Sequence, residues 1–213
     1  MHWVSPFGPQ IGVGQLSTEQ NDQLLRLCMR TKDDPARRMN ADLVGFVDKE
    51  FRIKTDIQTM DVYKTIQQSV LDYLSSVSSI YSRLAPFNHL DLILSDAWCN
   101  IQEANEFNPP HSHIHDDVVC VLYPMIDIDV TPKYTRNVTG ETPGGVVFSV
   151  GSHDARFGRS NYSISPETGM FLIFPASLTH YTTPTYNEND TRISVSCNFR
   201  FSRHFYHTRG KEL

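Results

Sequence analysis

The sequence has too little positive charge to suit a nucleic-acid partner. Its 19 Lys and Arg are outweighed by 24 Asp and Glu, for a formal net charge of -5. Nucleic-acid binders usually carry a basic patch or stripe, and Arg37-Arg38 and the pair Arg156 and Arg159 are too short to make one. No run approaches the ~20 apolar residues that span a bilayer. The N-terminus lacks a basic segment followed by an apolar run, so a cytoplasmic protein without a membrane partner is expected. Cysteine is sparse: Cys28, Cys99, Cys120 and Cys197 lie far apart in sequence. Buried free thiols are expected, not a disulfide framework. Neither a collagen-like nor a coiled-coil bias is present.

What is there is a chain of 213 residues with 39% hydrophobic and 20% charged residues, enough for one domain with a sizeable core. The 12 Phe and 9 Tyr favour strands. Residues 1–16, with Pro6 and Pro9, read as irregular. Ser17 with Gln20 has the form of a capping box opening a helix. Leu43–Phe46 and Phe51–Ile53 read as short strands. Val62, Ile66, Val70, Tyr73, Leu74 and Val77 recur at helical spacing within a block at 60–85, which Pro86 closes.

After that block the pattern becomes strand-like. Runs at Leu90–Leu94, Trp98–Gln102, Val118–Tyr123, Gly145–Val150, Met170–Phe174 and Arg192–Phe201 are separated by turn residues. Crossover helices are lacking, which excludes a βαβ sheet. The expected architecture is mainly β, a sandwich or jelly roll, with N-terminal helices packed outside it. Residues 1–95 form a helical and mixed support and 96–203 the β core of a single domain, 1–213.

Two segments carry chemistry. In the last run Ile193, Val195, Cys197, Phe199 and Phe201 alternate with Arg192, Ser194, Ser196, Asn198 and Arg200, so one face is apolar and the other polar. The polar face either lines a wet cavity or meets solvent. Upstream, His111, His113 and His115 alternate, with Asp117 next in the series. In an extended chain alternate residues point the same way, so neighbouring pairs can converge on a divalent ion such as iron, zinc, manganese or nickel. His180, just after the run Met170–Phe174, is the best remote third ligand, and His153 with Asp154 a weaker one. Two near ligands and one remote one leave coordination positions open. Arg192 opens the polar face and is suited to a bidentate grip on a carboxylate. Ser194 and Tyr123 could add hydroxyls. The bland alternative is a solvated loop with surface histidines.

The segment from Trp98 to Arg200 resembles the 2-oxoglutarate- and Fe(II)-dependent oxygenase superfamily. More narrowly, it resembles uncharacterised members from bacteria and cyanobacterial phages. The matching pieces are Pro109-Pro-His-Ser-His113, Val118-Val-Cys-Val-Leu-Tyr123, Gly169-Met-Phe-Leu-Ile-Phe-Pro-Ala-Ser-Leu-Thr-His180 and Arg192-Ile-Ser-Val-Ser-Cys-Asn-Phe199. Trp98-Cys-Asn100 and Gly145-Val-Val-Phe148 add to them.

The resemblance implies a double-stranded β-helix (jelly roll, cupin-like). It implies an iron held by His111, His113 and His180, and a 2-oxoglutarate whose far carboxylate meets Arg192 and Ser194. With O2 as co-reactant, it implies hydroxylation of a small molecule or peptide with release of succinate and CO2. Prolyl hydroxylation is a hypothesis by analogy alone. The commonest pattern in that superfamily has an acid where this chain has His113, so His115 with Asp117 is held as the reserve pair. Rival readings are a cupin-like metal enzyme that does not use 2-oxoglutarate, a zinc hydrolase using Asp116 or Asp117 as base, and a phage accessory protein that keeps the fold without catalysis. Specificity is expected in residues 35–57, 103–117 and 127–144, and loop 151–165 reads as solvated. A homodimer through an N-terminal edge strand stays open.

Overall fold

Ser17 starts the first helix as its spacing predicts. Its hydroxyl accepts from the Gln20 amide at 3.2 Å, and the Gln20 side chain accepts from the Ser17 amide at 3.3 Å. In the computed structural model this helix, α1, runs Thr18–Thr31 and buries Leu24, Leu27 and Cys28. A single turn, α2 (Lys54–Ile57), and the long α3 (Asp61–Tyr81) follow. Val62, Ile66, Val70 and Tyr73 are all buried, which confirms the helical period. The structure describes residues 1–4, 10–39, 45–81, 87–129, 142–151, 160–203 and 205. Pro6, Pro9, Leu43, Val44, Pro86 and His153 with Asp154 lie outside them.

Ten strands are present among the described residues: β1 (His2–Val4), β2 (Ile11–Gln15), β3 (Lys49–Arg52), β4 (Leu92–Gln102), β5 (Val118–Asp127), β6 (Val146–Ser149), β7 (Asn161–Ile164), β8 (Met170–Pro175), β9 (Thr179–Thr182) and β10 (Thr191–Phe201). They form a seven-stranded sheet in the order β1-β2-β8-β5-β10-β4-β3 and a three-stranded sheet in the order β7-β6-β9. Every pairing is antiparallel. This is the mainly β double-stranded β-helix, with the helices on the outer face of the large sheet.

Burial explains where a site can form. β5 is apolar on both faces, as expected of a strand covered on both sides. Val118, Cys120 and Leu122 pack toward the helices, and Val119, Val121 and Tyr123 toward the small sheet. β10 differs. Ile193, Val195, Cys197 and Phe199 join the helix-side core, while Arg192, Ser194, Ser196 and Asn198 are buried on the other face. So the space between the sheets is filled with apolar side chains at the β2, β8 and β5 end and is polar at the β10, β4 and β3 end. All four cysteines are free and buried. No helix among the described residues is long and apolar enough to cross a membrane.

Several local expectations are corrected. Residues 1–4 and 11–15 are not irregular: β2 pairs with β8 and carries β1 at the sheet edge. Its Ile-Gly-Val-Gly-Gln sequence hides the strand because glycine replaces side chains on one face. At Gly14 a Cβ would lie 2.2 Å from the Phe171 ring, so the close approach requires glycine. Gly45 and Phe46 form a bend, not a strand, and the strand placed at Phe51–Ile53 begins two residues earlier. The loop at 151–165 ends in β7, which pairs with β6. The runs at Leu90–Leu94 and Trp98–Gln102 belong to one strand, β4, that starts at Leu92 after a 3-10 turn at His89–Asp91 and has one residue extra relative to β10 at Ser95. A second extra residue, on β5 against β10, accommodates Pro124 within a central strand.

Candidate metal centre

Three histidines converge where the two sheets meet. His111 and His180 form a bridge, each backbone amide donating to the other's carbonyl at 3.0 Å. His180 is central in β9, opposite Phe148. His113 is anchored by its amide, which donates to the Ala176 carbonyl at 2.9 Å. The ring centroids are 4.4 Å apart for His111 and His180, and 5.2 Å for the other two pairs. Their ligating nitrogens lie within 4.8 Å of one another. Two nitrogens bound to one ion at ~2.1 Å can stand at most ~4.2 Å apart, so small ring rotations close the set.

The protonation pattern suits a cation. Burial lowers all three imidazoles: His111 in direction, His113 to about 4 and His180 to about 3, with neighbouring rings adding to the effect on the last two. They are therefore neutral near pH 7, the form that ligates. His111 Nδ1 lies 2.8 Å from the Pro109 carbonyl and His180 Nδ1 2.9 Å from that of Leu178. Carbonyls only accept, so both protons sit on Nδ1 and both Nε2 lone pairs are free. His113 Nε2 is 3.4 Å from His180 Nε2.

Behind His113, Asn198 lies 2.9 Å from Nδ1 and donates to Asp116 at 2.8 Å. Asp116 also accepts from the Ser95 hydroxyl, which the β4 bulge aims at it. A ligating Nε2 requires the proton on Nδ1. Asn198 must then turn its amide oxygen, unpartnered as it stands, toward the ring. Partners of this kind orient metal ligands. Asn198→Ala is expected to weaken metal binding by ~10–100-fold with the far-ultraviolet dichroism unchanged. A metal titration checks this, and unaltered affinity would remove Asn198 from the site.

Across the cavity Arg192 is 2% exposed. Its Nε donates to the Gly144 carbonyl at 3.1 Å, and its Nη1 to Gln102 Oε1 at 3.4 Å and Ser194 Oγ at 3.1 Å. The guanidinium lies 5.0 Å from the centre of the Tyr123 ring. Among the described residues no carboxylate pairs with the group, and the guanidinium is the polar group nearest the buried Tyr123 hydroxyl. Burial pushes Arg192 down and Tyr123 up, and the charge of Arg192 opposes the shift of Tyr123. An arginine nevertheless stays charged in a protein. An uncompensated buried cation with free donors is a seat for an anion.

The three histidines, Arg192, Ser194 and Tyr123 line one cavity of about 190 Å³. His115 and Asp117 are not brought to it. A turn closed by the Asp116 amide on the His113 carbonyl points His115 to solvent, and Asp117 accepts from the Phe201 amide at 2.7 Å. Asp116 lies behind His113 and is not part of the cavity wall, so it is poorly placed as a base for hydrolysis. Trp98 is both core and wall: it is 5% exposed and 5.9 Å from the His113 ring. Phe107 stacks on Phe46 at 5.1 Å. Sequence reasoning missed Glu50, Asn100, Asn108, Thr182 and Ser196 as lining residues and Asn198 as a histidine partner. Ser196 and Asn198 had a signal in the alternation of β10, and Glu50 and Asn108 fall in the segments 35–57 and 103–117 expected to carry specificity.

Residues 96–198 match the family model described as "Putative 2OG-Fe(II) oxygenase". No curated protein sequence matches the chain. Among solved structures, a Pseudomonas putida prolyl-4-hydroxylase is similar at 12% identity and a TM-score of 0.58, over 89% of this chain and 91% of that one. A viral collagen prolyl hydroxylase from Paramecium bursaria Chlorella virus-1, solved as its 2OG complex, is similar at 12% identity and 0.54, over 89% and 94%. HygX from Streptomyces hygroscopicus, solved with nickel, 2-oxoglutarate and hygromycin B, is similar at 12% identity and 0.54, over 92% and 83%. At these identities the likeness is one of fold.

Proposed function

We propose that this chain acts as a 2-oxoglutarate- and Fe(II)-dependent oxygenase, the family whose model matches residues 96–198, that His111, His113 and His180 hold its iron and that Arg192, Ser194 and Tyr123 hold its 2-oxoglutarate. When bound, Fe(II) with 2-oxoglutarate and O2 supplies the oxidising chemistry that hydroxylates a substrate C–H bond and releases succinate and CO2.

The residues have separable tasks. The neutral histidines supply three nitrogens and leave the remaining coordination positions open. Arg192 offers the far carboxylate of the cosubstrate its positive charge and the free N–H groups of Nη2, and the Tyr123 hydroxyl adds another donor. Phe148, Phe174 and Val146 keep that end dry, which strengthens every charge interaction within it. The substrate, a small molecule or peptide, enters from the β3 side. We place the enzyme in the cytoplasm, and the short edge strands β1 and β3 are where a second copy would pair to form a homodimer.

The observation that carries this reading is the buried, uncompensated Arg192 in the same cavity as three neutral imidazoles. A cupin-like enzyme that does not use a dicarboxylate has no need of that cation. Adding 2-oxoglutarate to the anaerobic Fe(II) protein is expected to produce a visible charge-transfer band. Stoichiometric iron without a band would favour the cupin-like reading. Failure to bind any divalent metal would favour the accessory-protein reading.

A further inference from the structure

Arg192 has a counterpart of opposite sign. Glu50 on β3 pairs in register with Asn100 on β4, and Asn100 pairs with Ser194 on β10. These three residues form one row across the sheet. With strands ~4.8 Å apart, the Glu50 backbone is about 10 Å from that of Ser194. Glu50 lines the cavity yet is only 2% exposed, and its carboxyl makes no hydrogen bond or ion pair among the described residues. Beside it the buried amide oxygens of Asn100 and Asn108 are also without partners.

The nearby charges rule out an internal partner. Burial, with the nearby charge of Glu106 adding to it, pushes Glu50 up to about 7. Glu106 is itself held by the amides of Asp48 at 2.9 Å and Glu103 at 2.8 Å. The adjacent cations are committed elsewhere: Lys49 to Glu103, Arg52 to Asp96 at 3.0 Å, and Arg38 to Asp48 at 2.6 Å. Phe46 and Phe107 stack on each other beside Gly45, where a Cβ would lie 3.8 Å from the Glu50 carboxyl. The cavity therefore has a cationic end at Arg192 and an acidic end at Glu50.

We propose that Glu50 is the specificity residue of this site and binds a cationic nitrogen of the substrate, an amine or a guanidinium. A buried carboxylate without a counter-ion is costly and becomes favourable when a cation pairs with it. The nearby aromatic faces add attraction for the same kind of group. The inference rests on the oxygenase reading for where the reacting C–H lies, but its test requires no turnover.

Butylguanidinium and butylammonium would be titrated against the matched neutral probes butylurea and butanol. The protein carries Ni(II) and 2-oxoglutarate, and binding is followed by ligand-observed NMR. The wild type is expected to prefer the cations by at least about tenfold, as a charge-assisted hydrogen bond implies. Glu50→Gln is expected to cut that preference below about threefold, the residue of a neutral contact, with 2-oxoglutarate affinity and Tm maintained. No cation preference in the wild type, or its survival in Glu50→Gln, overturns the proposal. So does a Glu50→Gln protein with lowered Tm and lost 2-oxoglutarate binding, which would mark a structural acid. Asn100→Asp, adding a second acid to the row, is expected to increase the preference. If the wild type selects cations yet binds no 2-oxoglutarate, the cosubstrate assignment fails and this one stands.

Discussion

His180→Ala is expected to remove stoichiometric iron binding and to lower 2-oxoglutarate-dependent succinate formation by more than ~100-fold, since loss of even an indirect ligand partner costs 10–100-fold. The size of the effect follows from the site's economy. Among the described residues three side chains offer ligating nitrogens here. All are neutral, so no carboxylate charge holds the ion if one is lost. His180 is also the most buried of the three, packed 4.8 Å from the Phe174 ring. Part of the loss could therefore come from packing. His180→Gln, which refills most of the volume, separates the two: Tm should recover while iron binding does not. His115→Ala is the control, because that side chain is exposed and should leave iron binding unchanged. If His115→Ala abolishes iron binding and His180→Ala does not, the ligand set is wrong.

How far the sequence discloses this site depends on what each residue's role requires. β10 is legible because its two faces meet different media: apolar residues face the helices and polar ones the cavity, and strict alternation records both. His180 and Arg192 are legible because each follows a strand-like run at a spacing shared with the superfamily. The choice between His111 with His113 and His115 with Asp117 is not settled by alternation. That argument treats residues 111–117 as extended, whereas a turn after His113 reverses the chain and points His115 outward. β7 goes unseen because none of its residues is buried, on an edge of the small sheet, so no apolar pattern marks them. Glu50 goes unseen for a different reason. It lies in Lys49-Glu-Phe-Arg52, where charged neighbours suggest solvent. Its burial comes from pairing with β4 and from the loop carrying Asn108, which are distant in sequence.

Replacing Arg192 by methionine should separate function from stability more sharply than any other single change. Removing one partner of a buried ion pair usually costs 3–5 kcal/mol, because the other charge is stranded. Arg192 has no such partner among the described residues. Its donors reach the Gly144 carbonyl, the Gln102 amide oxygen and the Ser194 hydroxyl, of which Ser194 borders the cavity. The metal-free, cosubstrate-free protein should lose ~1–3 kcal/mol, the cost of acceptors left unpaired, or about 2–12 °C in Tm for a chain of this size. Binding should respond differently. The far carboxylate loses a charge-assisted hydrogen bond and the buried charge behind it, together worth ~3 kcal/mol. On that basis the KM for 2-oxoglutarate should rise at least ~100-fold, and the rise in Tm that 2-oxoglutarate gives the metal-loaded wild type should vanish. Arg192→Lys should recover only part of the affinity, because a point charge replaces a planar fork. A large Tm loss without cosubstrate, with KM nearly unchanged, would instead make Arg192 a structural cation and leave the anion seat without its main residue.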